Sequence, residues 1–220
     1  SGRLVLLLAA PQPVSEGVEY LKRVADHVRA EVREHTELTV SVGIGGIVED
    51  ARRLHGSYRE ALAALRHKFF TGLDSTLASQ EMTAFSQQAE LSLEPDFLQA
   101  MQLGDEDHCL RWLDRSLAVF RQPPEVEPDL LKMQAMEFLG GLLRSSREAG
   151  IEAAELASLE FRLGQQLSRL ETLTGLQSWL YESTAELARL HRQLHNPRKA
   201  RTVRAALRFI DEHYMEELSL

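Results

Sequence analysis

Cysteine is almost absent from this chain, which contains one, Cys109, among 220 residues. A single cysteine cannot form an intramolecular disulfide or supply a multi-cysteine zinc or iron–sulfur site. Long apolar runs are missing too. The longest extends only from Leu4 to Ala10, whereas spanning a bilayer takes about 18–20 residues. No signal-peptide pattern is visible, so the sequence predicts a cytoplasmic protein.

Basic residues are outnumbered by acidic ones. The chain has 25 Lys and Arg against 33 Asp and Glu, which gives a formal net charge of −8. This balance argues against a chain that wraps nucleic acid along its whole length, but it does not exclude a local basic patch. Hydrophobic residues make up 44% of the chain, as in globular proteins of one or two domains.

The first third of the chain combines strand and helix patterns. Leu4–Ala9 is a short apolar run, typical of a strand buried on both faces. From Leu38 to Ile44 apolar residues alternate with small or polar ones, as on a strand with one packed face. Helical spacing covers Ser15–His35 and resumes at Leu54–Phe69. These patterns predict a partial α/β region over residues 1–74.

The remainder of the chain is predicted to be mainly helical. Residues 75–94 show no regular hydrophobic period and are predicted to be a connector with room for an edge strand. Residues 95–196 predict a helical bundle that acts as a linker or dimerisation region. Its candidate helices are Pro95–Leu103, Glu106–Arg121, Glu127–Glu148, Ala153–Leu170 and Thr174–Leu194. The predicted fold class is therefore α+β, a small α/β piece followed by a mainly α-helical bundle.

The end of the sequence predicts a third unit over residues 197–220. An amphipathic helix runs from about Pro197 to His213, and a new helix-start pattern at Ser219 has no helix after it. We therefore expect that the sequence stops inside this unit. Since two strands alone form a marginal sheet, we also expect partner strands before Ser1.

A first family resemblance lies in residues 203–220, which read VRAALRFIDEHYMEELSL. This stretch resembles the opening of the AraC-type DNA-binding domain, where a helix of the form IxxYIxxHYxExLSL precedes two helix-turn-helix motifs. The apolar spacing and the closing Leu-Ser-Leu agree together. The resemblance implies that the parent protein binds DNA through reading helices beyond Leu220.

A second resemblance combines LTVSVGIG at residues 38–45 with SYREALAAL at residues 57–65. It is similar to the degenerate GGDEF-like region of YesN-type regulators and some AraC-type membrane sensors. There a strand SVGIG precedes a helix with SYxEAxxAL, and a helical segment and the AraC-type domain follow. The resemblance implies a transcriptional regulator of the YesN-like response-regulator group, with an upstream receiver domain or histidine kinase as partner.

One departure from the GGDEF family bears on activity. Active diguanylate cyclases hold Mg²⁺ and the substrate phosphates with acidic residues just before a strand similar to Leu4–Leu8. That place here reads Ser1-Gly2-Arg3. Without these carboxylates we expect no nucleotide cyclisation and no enzyme activity. No catalytic residue, cofactor or metal is predicted.

Two further patterns have both a functional and a structural interpretation. Gly43-Ile44-Gly45-Gly46 lies between a strand and a helix, as a phosphate loop does. It fits neither G-x-G-x-x-G nor the P-loop, and glycine more simply allows a tight exit from the strand. His191 and His195 could face one metal from a helix, but two ligands are too few for a zinc site.

Three further features of the sequence concern pairs of residues. His108 and Cys109 suggest a thiolate–imidazole pair, but adjacent helical residues point in different directions. The pair Gly140-Gly141 could allow close helix packing, a kink or a ligand pocket. Tyr58 and Trp179 lie on apolar faces and are predicted to be core residues.

Seven of the 25 basic residues lie between positions 189 and 208. Such clustering suits contacts with DNA phosphates, and the alternative is a solvated helix face. By resemblance, the first helix of an AraC-type domain mostly supports the reading helices. The basic residues are Arg189, Arg192, Arg198, Lys199, Arg201, Arg204 and Arg208, of which the last five are the candidate contacts to the DNA backbone.

The preferred hypothesis is a regulatory and linker fragment of an AraC-type regulator, coupling an upstream sensing or receiver module to a C-terminal helix-turn-helix domain. The alternative is a module that senses a small-molecule effector and does not bind DNA itself. A homodimer is expected, because two subunits set the spacing of two DNA half-sites. The apolar face of Thr174–Leu194 could pack within the bundle or against the second subunit.

Overall fold

The structure is a computed structural model that describes residues 3–82, 91–118 and 127–194. The chain divides into two compact units. Of the described residues, the first unit takes 3–82, 127–131 and 170–176, and the second takes 91–118, 132–169 and 177–194.

The first unit is built on a parallel two-stranded sheet. Val42 lies opposite Thr76 and Ile44 lies opposite Ala78. Parallel strands need a crossover connection, and helices supply it here. The elements in chain order are α1 (Val14–His35), β1 (Val42–Ile44), a 3₁₀ turn (Ala51–Arg53), α2 (Leu54–Arg66), α3 (Lys68–Thr71), β2 (Thr76–Ala78) and a second 3₁₀ turn (Ser79–Glu81).

Helices α1 and α2 pack against different residues of β1. Side chains alternate along a strand, so Val42 and Ile44 share one face and Gly43 lies on the other. The face with Ile44 forms a small core with Ala25 of α1. The face with Gly43 lies against Ala61 of α2. Val18 and Leu21 of α1 pack against the same core, so this side of the predicted helix packs on the sheet.

One strand prediction is wrong in this part, and a second is confirmed only at its end. Leu4–Leu8 is not a strand in the structure, and each of its side chains is at least 50% exposed. The strand predicted over Leu38–Ile44 is confirmed at Val42–Ile44, and β2 lies in the predicted connector, which left room for an edge strand. The physical reason is that the backbone of a strand needs hydrogen bonds from a second strand. An apolar pattern in the sequence does not show whether such a second strand is available.

The core assignment of Tyr58 is also wrong, since this side chain is 40% exposed. Helix α2 turns its small residues toward β1 instead. Ser57 and Ala61 are partly buried there, and Ala64 is buried. Small residues are needed because the glycine backbone of β1 comes close to the helix.

The second unit is entirely helical in its described residues. It holds α4, α5, α7 and most of α6 and α8. Each helix begins within one residue of its predicted start, so the predicted bundle helices are confirmed over these residues. The helices are α4 (Pro95–Leu103), α5 (Glu106–Leu117), α6 (Pro128–Glu148), α7 (Ala153–Arg169) and α8 (Leu173–Leu194).

Aromatic and leucine side chains fill the core of the second unit. Phe97 and Trp112 have ring centroids 4.5 Å apart, and Trp112 and Phe138 stack at 5.9 Å. The core assignment of Trp179 is confirmed, because it is buried together with Leu180 and Leu187 of α8. The apolar face of α8 therefore packs within this unit. Of the two alternatives for that face, the structure favours packing within the bundle over packing against a second subunit.

Both units together agree with the predicted α+β class, since helices dominate and the sheet is small. Among the helices of the described ranges, none combines the length and the apolar character that crossing a bilayer requires.

Candidate functional site

The glycine loop after β1 is pressed against helix α2. A Cβ atom on Gly43 would lie 2.3 Å from the carbonyl oxygen of Ala61, and one on Gly45 would lie 1.9 Å from that of Ser57. Both distances are far below van der Waals contact, and both neighbours are backbone atoms. Glycine is therefore required at these positions so that the strand and the helix can approach each other.

The amide of Gly46, which a phosphate loop would offer to a ligand, is already used. It donates a hydrogen bond to Oε2 of Glu60 at 2.8 Å. The carboxylate also brings negative charge to the loop, which disfavours a phosphate. The structure therefore favours the packing interpretation of residues 43–46 over the phosphate-loop interpretation.

The two sequence motifs are two halves of this one contact. Gly43 and Gly45 belong to the strand motif and Gly46 follows it directly, and their neighbours Ser57, Glu60 and Ala61 belong to the helix motif. Residues 57, 60 and 61 are three and four positions apart, so they lie on one side of the α-helix and can all face the glycine residues. We call this contact the glycine–helix junction.

A charged cluster in the first unit joins α1 to the start of β2. Arg29 Nε donates to Asp74 Oδ1 at 3.1 Å, and Arg33 Nη1 donates to Asp74 Oδ2 at 2.9 Å. Thr76 Oγ1 donates to Asp26 Oδ1 at 2.6 Å. Asp74 also has a φ of 58°, in the left-handed region where Asp and Asn are tolerated. Sequence reasoning missed this cluster, because nothing local relates Arg29 to a residue 45 positions later.

Replacing Asp74 by alanine should destabilise the first unit by about 2 kcal/mol. The change removes the carboxylate shared by Arg29 and Arg33 and places a Cβ-bearing residue without local hydrogen bonding at positive φ. Replacement by asparagine should cost about half as much, because Asn tolerates this conformation. Hydrogen exchange of the β2 amides measures both variants. Equal stabilities of all three proteins would contradict the role given to the cluster.

A buried serine–histidine pair lies in the second unit. Ser146 Oγ donates to the carbonyl oxygen of Leu142 at 2.8 Å, and His191 Nε2 lies 2.9 Å from the same Oγ. With the hydroxyl proton directed to the Leu142 carbonyl, Ser146 Oγ can only accept from His191, which requires the tautomer protonated at Nε2. A nucleophilic serine needs the opposite arrangement, with histidine as acceptor. Both side chains are fully buried, so the pair joins α6 to α8 within the core.

The two-histidine metal hypothesis gains nothing from this geometry. His191 is buried and bonded to Ser146, and His195 lies outside the described residues. Across residues 3–82, 91–118 and 127–194, no cluster of three or more His, Cys, Asp or Glu side chains could hold a metal ion.

Cys109 is buried, and this decides its chemistry. Burial, with a smaller contribution from the nearby Asp105, raises the pKa of the Cys109 thiol to about 12. A thiol with this pKa stays protonated at neutral pH and is a poor nucleophile. The interpretation of Cys109 as a small apolar core residue therefore fits better than a thiolate–imidazole pair with His108.

Cys109 should be unreactive toward a thiol-specific disulfide reagent at pH 8 in the folded protein. Adding denaturant should expose it and lower its pKa toward the ordinary value, which restores the reaction at a rate typical of a free cysteine. The measurement is the absorbance of the released thiolate with and without denaturant. Fast reaction of the folded protein would contradict the burial of this thiol.

The glycine pair in α6 divides into two different environments. A Cβ on Gly141 would lie 2.2 Å from Cδ1 of Leu93, so Leu93 fills the space beside it. A Cβ on Gly140 would meet no atom within 4 Å. Of the alternatives for this pair, close packing describes Gly141, and Gly140 faces open space.

The five candidate DNA-backbone residues, Arg198, Lys199, Arg201, Arg204 and Arg208, lie outside the described residues. Of the other two basic residues, Arg189 is exposed. The Arg192 guanidinium donates from Nε and Nη2 to the carbonyl oxygen of Gly104 at 3.1 and 3.0 Å. Arg192 therefore joins α8 to the turn between α4 and α5.

Comparison with known proteins identifies one family. The model of the GGDEF-like domain matches residues 1–67. No curated protein and no solved structure matches the chain significantly. The matched residues include both halves of the glycine–helix junction, so the GGDEF-like part of the sequence-based resemblance is confirmed. Over its first 67 residues the chain therefore carries a region that matches the GGDEF-like domain family.

Proposed function

We propose that this chain is the regulatory and linker part of an AraC-type, YesN-like transcriptional regulator. In the parent protein it would couple an upstream receiver or sensing module to a C-terminal helix-turn-helix domain. The observation that carries the proposal is the order of three regions along the chain. These are the GGDEF-like match over residues 1–67, the helical unit, and the AraC-like sequence of residues 203–220.

The first unit acts in this proposal as a protein module without cyclase activity. Two observations support this. Ser1-Gly2-Arg3 stands where active cyclases carry acidic residues, and the Gly46 amide is bonded to Glu60. An assay with GTP and Mg²⁺ is expected to give no cyclic dinucleotide. Product formation that increases with enzyme concentration would overturn this part of the proposal.

The helical unit acts as a rigid connector. Its core is filled with aromatic and leucine side chains, and the buried Ser146–His191 pair holds α6 to α8. A packed core transmits a displacement without absorbing it, because protein interiors have low compressibility. A change in an upstream receiver, or binding of a small-molecule effector, would then alter the placement of the DNA-binding domains.

The experiment that tests the proposal uses the full-length natural protein. Selection from a pool of random duplex DNA should enrich a sequence with two related half-sites, because a dimer places two reading domains on the duplex. The same protein shortened to end at Leu194 should enrich no sequence. Failure of the full-length protein to select DNA, together with a saturable thermal shift from nucleotides or sugars, would favour the small-molecule module instead.

A charge-removal variant tests the basic segment. Changing Arg198, Lys199, Arg201, Arg204 and Arg208 together to glutamine should weaken DNA binding uniformly across sequences and flatten its salt dependence, as loss of phosphate contacts does. The matched control changes the exposed Arg52 and Arg53 to glutamine and should leave both quantities unchanged. An unchanged salt dependence in the first variant would restrict these residues to a solvated face.

A further inference from the structure

Helices α6 and α7 expose apolar side chains in the second unit. Met133 is 62% exposed, Met136 is 39% exposed and Phe161 is 68% exposed. Residues three or four apart lie on one side of a helix. Met136 and Gly140 are thus neighbours on α6, and Phe161 and Gly164 are neighbours on α7.

One contact joins these two rows into a single surface. Cε of Met136 lies 3.7 Å from the position that a Cβ would take on Gly164. Met136 therefore covers Gly164. We call the surface made by Met133, Met136, Gly140, Phe161 and Gly164 the Met–Phe face.

Gly140 has no side chain and leaves a shallow depression in this face, which we call the notch. Glycine inside a helix is less stable than alanine, and nothing within 4 Å would exclude a Cβ there. The fold of the single chain therefore does not require glycine at this position. Glycine at this position leaves room for a second backbone or a large side chain to approach the face closely.

The charges around the notch are arranged for a second copy of the same chain. Glu137 and Arg144 are both exposed and lie on the same side of α6 as Gly140. When two copies of α6 cross in antiparallel orientation about the 140–141 peptide, Glu137 of each copy faces Arg144 of the other. A two-fold interface of this kind is self-complementary, because each patch meets itself.

We propose that the Met–Phe face is the homodimer surface of this protein. Two copies cross at Gly140, and Phe161 of each copy covers the notch region of the other. Glu137 and Arg144 form two ion pairs beside the crossing. Only the role of the dimer rests on the proposed function. In that role the dimer holds two DNA-binding domains at two half-sites. It uses a different surface from the α8 face, which the sequence offered as one of two alternatives, since that face is buried within its own unit.

Charge exchange tests the interface in the 220-residue chain by sedimentation equilibrium. Glu137→Arg alone and Arg144→Glu alone should each weaken dimerisation by about ten-fold, because two ion pairs become two like-charge contacts. The double variant Glu137→Arg with Arg144→Glu should restore the wild-type dissociation constant. These residues are exposed, so circular dichroism should show folded protein in all three.

Two more variants complete the test. Gly140→Leu fills the notch and should give a monomer, whereas Leu103→Gln changes a 63% exposed leucine of α4 and should leave the dimer intact. A monomeric wild-type chain at high concentration would overturn the proposal, and so would a dimer that none of the face variants weakens. DNA selection by the full-length protein separates the two proposals. If the full-length protein selects no DNA but its dimer is weakened by the face variants, only the proposed function is contradicted. If it selects two half-sites as a dimer that the face variants do not weaken, only the proposed interface is contradicted.

Discussion

Replacing Gly45 by alanine should destabilise the first unit by about 3 kcal/mol, at the upper end of the cost of overpacking. The new Cβ would lie 1.9 Å from the carbonyl oxygen of Ser57 and 2.6 Å from its Oγ. The carbonyl belongs to helix α2, so it cannot rotate away without breaking the helix. Strand β1 and α2 must therefore separate. Hydrogen exchange of peptides from the first unit measures the loss.

Two other glycines give matched controls for this result. Gly56 lies in α2 with no atom within 4 Å of its Cβ position. Gly56→Ala should therefore stabilise the unit by about 0.5 kcal/mol. Gly46→Ala should fall between the two variants, because its Cβ meets only the carboxylate of Glu60. Equal effects at Gly45 and Gly56 would contradict the glycine–helix junction.

Replacing Leu113 by alanine should destabilise the second unit by about 3 kcal/mol. This leucine is fully buried in the core. Its truncation removes apolar contacts and leaves a cavity that the surrounding helices fill only in part. The chain has two tryptophans, Trp112 and Trp179, and both are buried in this unit. Tryptophan fluorescence in guanidinium therefore follows the second unit specifically.

The same substitution at an exposed leucine is the control for Leu113. Leu103 belongs to α4 of the same unit and is 63% exposed, so Leu103→Ala should change the free energy of unfolding by less than about 0.5 kcal/mol. A similar loss from both variants would mean that the helical core is not packed as described. A loss confined to Leu113 would support the rigid connector in the proposed function.

The candidate sites were predictable from the sequence to different degrees. The glycine–helix junction could be predicted as a pair of motifs, because both halves are short and contiguous. Its packing could not, since only the fold places Gly45 on Ser57. The Arg29–Asp74 cluster and the Ser146–His191 pair join residues 45 positions apart. No local spacing encodes either one.

Over the described residues, the sequence by itself determined the five helices α4–α8. The five helices α4–α8 begin within one residue of their predicted starts, because a helix depends on contacts between residues three and four apart. Only the tertiary structure decided the strand bounds, the strand pairing and the exposed surfaces. Leu4–Leu8 reads as a buried strand but is exposed, and the edge strand that the connector allowed is placed at Thr76–Ala78 by its pairing with β1. The reason is that strand pairing and burial depend on residues distant in the chain.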